Sequence, residues 1–362
     1  MRLGRAIVGA LVALADATPA SAAAPVANPA VDATGAVSMS ATKLPFSDFA
    51  SQAARDAFVA DSHHAPRPKI ADGDYKAWRA NDVKENAPRI ARMRAIWPVT
   101  ITPTTIDGVY TEVIAPAGSP RPENAHRVLI ELHGGGFAGC PRTCGQIESI
   151  PIAGVGGFTV VAVDYRQGPE HRFPAASEDV AIVYRALLKT HRPQDIGIFG
   201  GSAGGLLTAE ALAWFQHVGL PRPGAAVIAF AGANGWLGGD SNYLSFASLG
   251  QDRWGGDGPH RAVGGAIYLE HADMRDPLVA PVWTPAVLAK FPPTLIVTAS
   301  RDFAMSSATN TARALDAVGV PHELAVWDGL SHYFYNNPDW PESREVYAKI
   351  SRWFDDRLGS KR

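Results

Sequence analysis

Gly200-Gly201-Ser202-Ala203-Gly204 places a serine between a short apolar run and a helix-like stretch that covers Leu206 to His217. The glycines remove the Cβ atoms that would clash in so sharp a turn, which lets the serine adopt a strained backbone and project its hydroxyl. A lone G-x-S-x-G motif is only a moderate signal. It becomes strong here because His133-Gly134-Gly135-Gly136 lies upstream, whereas Asp302 and His332 lie downstream.

Strand and helix patterns alternate along the chain on both sides of this turn. The strand patterns cover Val99 to Thr102, Val109 to Ile114, Val128 to Leu132, Phe158 to Val163, Ile196 to Phe199, Ala226 to Phe230, Thr294 to Ala299 and Glu323 to Trp327. The amphipathic helical patterns cover Ala175 to Lys189, Leu206 to His217, Ser306 to Val318 and Ser343 to Phe354. This alternation predicts the α/β class, with a mostly parallel central sheet flanked by helices. Gly136 to Ser149 is interpreted as a loop.

The N-terminus has the three-part pattern of a secretory signal. A basic start at 1–5 precedes an apolar run from Ala6 to Ala15, and small residues follow at Ala20-Ser21-Ala22. The pattern predicts a signal peptide at 1–22, a mature protein that begins near Ala23, and a secreted or periplasmic location. An Ala-rich start of a cytoplasmic enzyme is the alternative.

The rest of the chain divides by composition. Residues 23–41 are rich in Ala, Pro, Ser and Thr without periodicity, which predicts a disordered tether. Residues 42–98 predict N-terminal cap helices, the second of them broken near Pro88. Residues 99–358 form the predicted catalytic domain. A stretch at about 232–292, dense in Gly and aromatic residues, is interpreted as a cap insertion because a structureless loop of that length is uncommon.

Composition limits the classes of partner. The 362 residues are 46% hydrophobic and 19% charged, which is enough to bury a large core. A net charge of −2 and the absence of a dense Lys/Arg run argue against nucleic acid and anionic membranes. The apolar run from Ala6 to Ala15 is too short to span a bilayer, so no stable membrane insertion is expected. A small, largely neutral substrate fits these limits.

The two cysteines, Cys140 and Cys144, lie close together after the glycine triplet. In an exported protein they can pair in a small loop. Two free thiols are the alternative, since so short a bridge depends on backbone geometry. A metal site is not expected, because no second Cys or His pair of suitable spacing accompanies them.

Ser202, His332 and Asp302 fit the three roles of a serine catalytic triad. A serine hydroxyl needs a base within hydrogen-bond reach, and the base needs an acid that holds its tautomer. The chain order Ser, Asp, His is that of α/β-hydrolases. For the acid, Asp328 and Asp276 are rivals, and Asp302 is favoured because it directly follows a strand pattern.

The negative oxygen of a tetrahedral intermediate needs preorganised backbone N–H donors. Gly134-Gly135-Gly136 exposes consecutive amides without side-chain obstruction, and Ala203 supplies another at the start of the helix behind Ser202. A simple tight turn is the alternative, which the position of the glycines upstream of the serine motif disfavours.

In these motifs the chain resembles the bacterial hormone-sensitive lipase family of α/β-hydrolase esterases. The resemblance rests on His133 to Phe137, Asp164-Tyr165-Arg166, Pro169 to Ala176 and Gly200 to Gly205, and it covers most of Val99 to Phe354. It implies a helical cap, the triad named above, and hydrolysis of carboxylic esters without a metal or organic cofactor. It also implies oxyanion donors at Gly135, Gly136 and Ala203, support of the oxyanion loop by His133, Asp164 and Arg166, and pairing of two copies through the last strand and helix as a possible homodimer. Because the family commonly has Asp or Thr where this chain has Gly201, a less constrained turn is expected there.

The function predicted from these residues is a serine esterase for short- to medium-chain acyl groups, with Phe137 and Trp236 lining an apolar acyl pocket. The same machinery serves a lactone hydrolase, since lactones are cyclic esters. A non-catalytic small-molecule receptor of the same fold is a minor alternative, because the fold alone does not fix function.

Overall fold

The computed structural model describes residues 30–31, 37–38, 43–62, 73–234, 239–248 and 265–359. The chain divides into two units, Met1–Pro45 and Phe46–Arg362. In the first unit, strand β1 (Ala30–Val31) pairs antiparallel with β2 (Val37–Ser38). These four residues of the predicted tether at 23–41 are therefore paired strands, whereas the predicted signal peptide at 1–22 lies outside the described residues.

The second unit is built on one eight-stranded sheet. Its strands are β3 (Val99–Ile106), β4 (Val109–Pro116), β5 (Val128–Leu132), β6 (Thr159–Val163), β7 (Ile196–Gly201), β8 (Ala225–Ala229), β9 (Thr294–Arg301) and β10 (His322–Ser331). Their order across the sheet is β10-β9-β8-β7-β5-β6-β4-β3. β3 pairs antiparallel with β4, and β4 with β6, whereas the other neighbours are parallel. The predicted mostly parallel sheet of an α/β protein is thus confirmed.

Helices connect these strands. They are α1 (Gln52–Ser62), α2 (Tyr75–Ile96), α3 (Thr143–Gly156), α4 (Ala175–Leu187), α5 (Ala203–His217), α6 (Ser241–Ser248), α7 (Gly265–Tyr268), α8 (Pro285–Leu288), α9 (Met305–Ala317) and α10 (Pro341–Arg357). Within the described ranges, none of them combines the length and the apolar character that a membrane crossing requires.

The central strands of the sheet are buried on both faces, as the side chains of β5 illustrate. Val128, Ile130 and Leu132 pack in one apolar cluster together with residues of α4 and α5. Leu129 points the opposite way, into a second cluster with residues of α3 and α10. Because successive side chains of a strand point to opposite faces, a strand covered on both sides is apolar throughout. This explains why β5, apart from the buried Glu131, and its neighbours are largely apolar in the sequence.

The expected break of the second N-terminal helix near Pro88 is wrong. α2 runs through Pro88 without a break. Proline removes one backbone hydrogen bond and usually kinks a helix, but α2 packs along the domain, with Asn86 and Met93 buried. Packing outweighs the local penalty, because most helical stability in proteins comes from tertiary contacts.

The segment from Gly136 to Ser149 is not a loop throughout, because α3 begins at Thr143. Ten of the 14 residues of this helix are buried, so it is covered on nearly every side. A helix that is buried all round has no polar stripe and therefore no amphipathic period to recognise. In the sequence, the recognisable features of this segment are the turn-forming residues at its start and the proline at 151.

The two predicted cap regions contain helices where the structure describes them. α1 and α2 occupy the region at 42–98, and α6, α7 and α8 lie within the insertion at about 232–292. Residues 235–238 and 249–264 of that insertion, which include the predicted pocket residue Trp236, lie outside the described residues.

One buried acid outside the site predicts a pH-dependent stability. Glu210 on α5 is fully buried, and neither carboxyl oxygen has a hydrogen-bond partner among the described residues. Burial raises the pKa of Glu210 well above its ordinary value of 4.5. The folded protein therefore keeps a proton that the unfolded chain loses above about pH 4.5, so this acid lowers the free energy of unfolding progressively as the pH rises.

Glu210→Gln keeps the shape of the side chain and removes its ionisable carboxyl group. The variant is expected to gain about 1.4 kcal/mol of unfolding free energy over wild type for each pH unit above about 4.5, until the folded pKa is reached. Urea unfolding of both proteins at pH 5, 7 and 8 measures this difference. A difference that does not grow with pH would show that Glu210 ionises freely in the folded protein.

Candidate active site

Ser202 lies at the junction of β7 and α5, where the sequence places it. Its backbone has φ 56° and ψ −120°, a conformation that costs energy for a residue with a Cβ atom. The Ser202 N–H donates to the Ala229 carbonyl oxygen of β8 at 2.8 Å, which fixes the turn to the sheet. Glycine is required at 200 and 204, because a Cβ atom at either position would overlap the Leu132 carbonyl oxygen of β5.

Asp302 and His332 directly follow two further strands, β9 and β10. Parallel strands end at one edge of the sheet, which brings groups from distant parts of the chain together. His332 Nε2 lies 2.9 Å from Ser202 Oγ, and His332 Nδ1 lies 2.7 Å from Asp302 Oδ1. The structure thus joins the three residues in one chain of hydrogen bonds.

Asp302 is held rigidly in this position. It is fully buried, and its Oδ2 accepts the Thr298 hydroxyl at 2.7 Å. Its Oδ1 accepts the Ala304 N–H at 2.9 Å in addition to the imidazole. Since a carboxylate accepts at both oxygens, these donors orient it toward His332 Nδ1–H, which leaves Nε2 as the acceptor that faces Ser202.

The two rival acids lie elsewhere. Asp328 accepts the Ser47 hydroxyl at 2.5 Å, and hydrogen bonds from Ser47 and Ser300 hold the pKa of Asp328 below its ordinary value. Asp276 accepts the Leu278 N–H at 2.8 Å in its own turn. The geometry therefore favours Asp302 as the partner of the imidazole.

The predicted oxyanion donors lie on two sides of the serine. Gly135 and Gly136 have φ 110° and 63°, values that glycine adopts without strain. The Gly135 carbonyl oxygen accepts the N–H groups of Ala138 and Gly139 at 3.1 and 2.9 Å, so it faces the following turn. Among the described residues, the amides of Gly135, Gly136 and Ala203 have no protein acceptor. Three donors are thereby left for a substrate oxygen.

His133 supports the loop that carries these glycines, called here the oxyanion loop (His133 to Gly139). It is buried, and its Nδ1–H donates to the Gly134 carbonyl oxygen at 2.6 Å. Burial lowers the pKa of His133, although Asp164, 3.8 Å from Nε2, acts in the opposite direction. The Tyr165 hydroxyl donates to the His133 carbonyl oxygen at 2.6 Å, and the two rings stack with centroids 4.4 Å apart. Tyr165 is a support that sequence reasoning missed, although it stands between two residues that were singled out.

Of the other predicted supports, Asp164 reaches the loop and Arg166 does not. Asp164 accepts from the backbone N–H and the Nε of Arg142, both at 3.3 Å, just beyond the loop. Arg166 instead bonds Asp179 and Glu178 of α4, each at 2.9 Å. Its effect on the oxyanion loop is therefore indirect.

Arg79 of α2 makes the contact that was expected of Arg166. Its guanidinium donates to the carbonyl oxygens of Ala138 and Gly168 at 2.8 and 2.7 Å, and it forms a two-pronged ion pair with Glu170. The Gly168 N–H in turn donates to the Phe137 carbonyl oxygen at 2.8 Å. A predicted cap helix thus anchors the oxyanion loop through one arginine, which no local pattern marked.

Cys140 and Cys144 form a disulfide bond, which resolves the question that the sequence left open. The Cys140 N–H donates to Asp82 of α2 at 2.7 Å, and the Asn86 amide donates to Cys140 Sγ at 3.2 Å. The bond therefore closes the segment between the oxyanion loop and α3 and lies against α2.

Phe137, predicted to line an acyl pocket, lies in the core. It is 1% exposed, and its ring stacks on Tyr268 with centroids 4.7 Å apart. The ring of Tyr165 packs against it edge-on at 6.0 Å. Contact between Phe137 and an acyl chain stays a prediction.

The less constrained turn expected at Gly201 stays a prediction, but the space beside the Gly201 Cα atom is filled by side chains. A Cβ atom at Gly201 would lie 2.5 Å from Tyr335 Oη, 2.6 Å from Tyr333 Cε2 and 3.0 Å from Glu148 Oε2. Real Cβ atoms essentially never approach as closely as the two tyrosine contacts require, and the Glu148 contact is tight. These three side chains therefore fill the space in which another residue would place its own. Glu148, Tyr333 and Tyr335 are residues of the site that the sequence did not reveal.

Comparisons with known proteins agree with this arrangement. Residues 129–336 match the family model of the α/β-hydrolase fold. An acetyl-hydrolase of Streptomyces hygroscopicus is 31% identical over 61% of this chain and 72% of its own length. The carboxylesterase/phospholipase LipF of Mycobacterium tuberculosis is 28% identical over 70% and 69% of the two chains.

Solved structures extend the similarity to the whole domain. The crystal structure of an esterase called E25 has a TM-score of 0.75 at 27% identity and covers 89% of this chain and 98% of its own. An esterase of the bacterial hormone-sensitive lipase family has a TM-score of 0.71 at 25% identity and covers 86% and 100% of the two chains. The chain therefore belongs to the α/β-hydrolase fold family, within its group of esterases like the bacterial hormone-sensitive lipases.

Proposed function

We propose that this protein is a serine carboxylesterase that hydrolyses short- to medium-chain carboxylic esters through an acyl-Ser202 intermediate. One observation carries the proposal: Ser202 Oγ, the His332 imidazole and the Asp302 carboxylate are linked at 2.9 and 2.7 Å. The names of the relatives, an acetyl-hydrolase and a carboxylesterase/phospholipase among them, support the ester class.

The first half of the reaction forms the acyl-enzyme. His332 Nε2 accepts the proton from Ser202 Oγ as that oxygen attacks the ester carbonyl, and Asp302 stabilises the imidazolium. The tetrahedral oxyanion accepts hydrogen bonds from the N–H groups of Gly135, Gly136 and Ala203. When the intermediate collapses, His332 returns the proton to the alkoxide, and the alcohol leaves.

The second half releases the acid. Water enters, His332 takes one of its protons, and the hydroxide attacks the acyl carbonyl in the same oxyanion site. Collapse returns the proton to Ser202 Oγ and frees the carboxylic acid. The net change is one ester and one water to one acid and one alcohol, and it requires no other group.

A panel of substrates tests the proposed class. We expect hydrolysis of p-nitrophenyl esters, with kcat/KM highest for acyl chains of about two to eight carbons and falling for longer ones, because a pocket of finite depth stops accommodating added methylenes. Five- and six-membered lactones belong in the same panel, since they present the same carbonyl. Turnover of lactones but not of open-chain esters would replace the proposal with a lactone hydrolase.

A non-catalytic receptor is the alternative from a different class. His332 argues against it, because a receptor has no need of a base at hydrogen-bond distance from a serine. Saturable binding of esters or lactones without turnover in the same panel would support the receptor and contradict the esterase.

A further inference from the structure

Glu148 lies beneath the site, in contact with all three of its parts. It is on α3 and is 1% exposed. Its Oε1 accepts the Gly134 N–H at 3.0 Å and the Tyr333 hydroxyl. Its Oε2 accepts the Tyr335 hydroxyl at 2.6 Å. The Gly201 N–H also hydrogen-bonds to this carboxylate and favours its charged form.

These contacts reach the segments on which hydrolysis would depend. Gly134 precedes the two glycines of the oxyanion loop, Gly201 precedes the nucleophile candidate, and Tyr333 follows His332. The three segments lie at the carboxyl ends of β5, β7 and β10 and are not neighbours in sequence. One buried carboxylate therefore accepts a hydrogen bond from the backbone or a side chain of each segment.

The glycine at 201 makes this arrangement possible. Tyr333 and Tyr335 occupy the space next to its Cα atom, and both hydroxyls donate to Glu148. Gly134 is similarly enclosed, since a Cβ atom there would lie 3.2 Å from Tyr333 Oη. Any larger residue at 201 would displace the two tyrosines.

We propose that Glu148 is a positioning residue for ester hydrolysis, which acts by holding the oxyanion loop, the serine turn and the histidine loop in register. The proposal rests on the proposed function for its substrate. It assigns the charged carboxylate as the working form, because only that form accepts hydrogen bonds at both oxygens from backbone N–H groups and tyrosine hydroxyls together.

The charge state of Glu148 follows from its surroundings. Burial raises the pKa of Glu148 to about 7, against the opposing effect of its hydrogen-bond donors. The ionisable groups that face it are Tyr333, Tyr335, Tyr165 and Glu131. Glu131 is fully buried without a partner among the described residues, and burial together with Glu148 raises its pKa well above the ordinary value. A single negative charge on the pair is thus best placed on Glu148, which has the donors.

Glu148→Gln tests the proposal. The amide keeps the shape of the side chain, but its N–H₂ group replaces one oxygen that accepts hydrogen bonds and therefore faces groups that donate them. With p-nitrophenyl acetate, we expect kcat to fall about tenfold or more while KM changes by less than about twofold, since misplaced transition-state groups affect the chemical step. Glu210→Gln is the matched control. It also replaces a fully buried acid, which lies on α5 eight residues after the serine, and it is expected to keep wild-type kcat.

The pH profile separates positioning from general structural support. In wild type, protonation of Glu148 below about pH 7 is expected to steepen the acid limb of log kcat/KM beyond the slope of about one that a single titrating group gives. Glu148→Gln removes the extra slope. Tyr335→Phe removes one donor, which raises the pKa of Glu148 and moves the extra step to higher pH. Wild-type kcat and unaltered profiles in both variants would overturn the proposal.

Phosphonylation of Ser202 by a fluorophosphonate provides a readout that does not depend on esters. Glu148→Gln is expected to slow the second-order labelling rate about tenfold or more, with the thermal unfolding transition retained. If wild type labels rapidly but hydrolyses no ester, the proposed function fails, and the labelling rates alone decide the role of Glu148. Labelling of Glu148→Gln at the wild-type rate would contradict that role.

Discussion

Ser202→Ala is expected to lower kcat for ester hydrolysis by about four to six orders of magnitude, because it removes the attacking oxygen. His332 and Asp302 would remain in place but have no nucleophile to activate. The variant is expected to fold as wild type does, since the side chain of Ser202 lies at the edge of the sheet and alanine removes only one oxygen atom. Turnover of p-nitrophenyl butyrate and thermal unfolding measure the two expectations.

Ser177→Ala is the matched control for this loss. Ser177 is fully buried on α4, and its hydroxyl has no hydrogen-bond partner among the described residues. The same chemical change is therefore expected to leave kcat within about twofold of wild type. Activity of Ser202→Ala near that of Ser177→Ala would rule out Ser202 as the nucleophile.

Asp302→Asn has the second-largest expected effect, a fall in kcat of about 10⁴. The substitution removes the negative charge that stabilises the imidazolium of His332. It also places an amide N–H₂ among groups that donate to Asp302, namely the Thr298 hydroxyl, the Ala304 N–H and His332 Nδ1. An amide nitrogen turned toward Nδ1 selects the tautomer with a proton on Nε2, which is unable to accept the proton of Ser202. Steady-state kinetics at pH 8 measure the effect.

Asp328→Asn is the comparison that distinguishes Asp302 from its rival Asp328. Asp328 bonds Ser47 rather than His332, so its substitution is expected to change kcat by less than about threefold. A larger loss in Asp328→Asn than in Asp302→Asn would reverse the assignment of the acid.

The sequence predicted the parts of the site that follow strands. Ser202, Asp302 and His332 each stand just past an apolar run, and runs of this kind become parallel strands that end at one edge of the sheet. The glycines of the oxyanion loop and the serine turn were also recognisable, because their backbone conformations or close contacts exclude side chains. Local sequence encodes these features directly.

Unlike His133 and Asp164, the other supports of the site were not predictable from the sequence. Glu148 lies on a helix without amphipathic period and meets Tyr333 and Tyr335 from a segment 185 and 187 residues away. Arg79 contacts Ala138 and Gly168 across 59 and 89 residues. A single sequence gives no signal for contacts of this range, since each depends on how whole elements pack. Gly201 was visible as a departure from the family pattern, but the reason for a glycine there is seen only with the side chains that surround it in the structure.

The most direct test of the catalytic assignment is peptide mapping after treatment with a fluorophosphonate, which traps an activated serine as a covalent adduct. The expected result is stoichiometric modification of the peptide that contains Ser202 in wild type, with complete loss of hydrolysis. No adduct is expected in Ser202→Ala, and strongly slowed labelling is expected in Asp302→Asn. An adduct on another residue, or full ester hydrolysis by protein already modified at Ser202, would contradict the proposed mechanism.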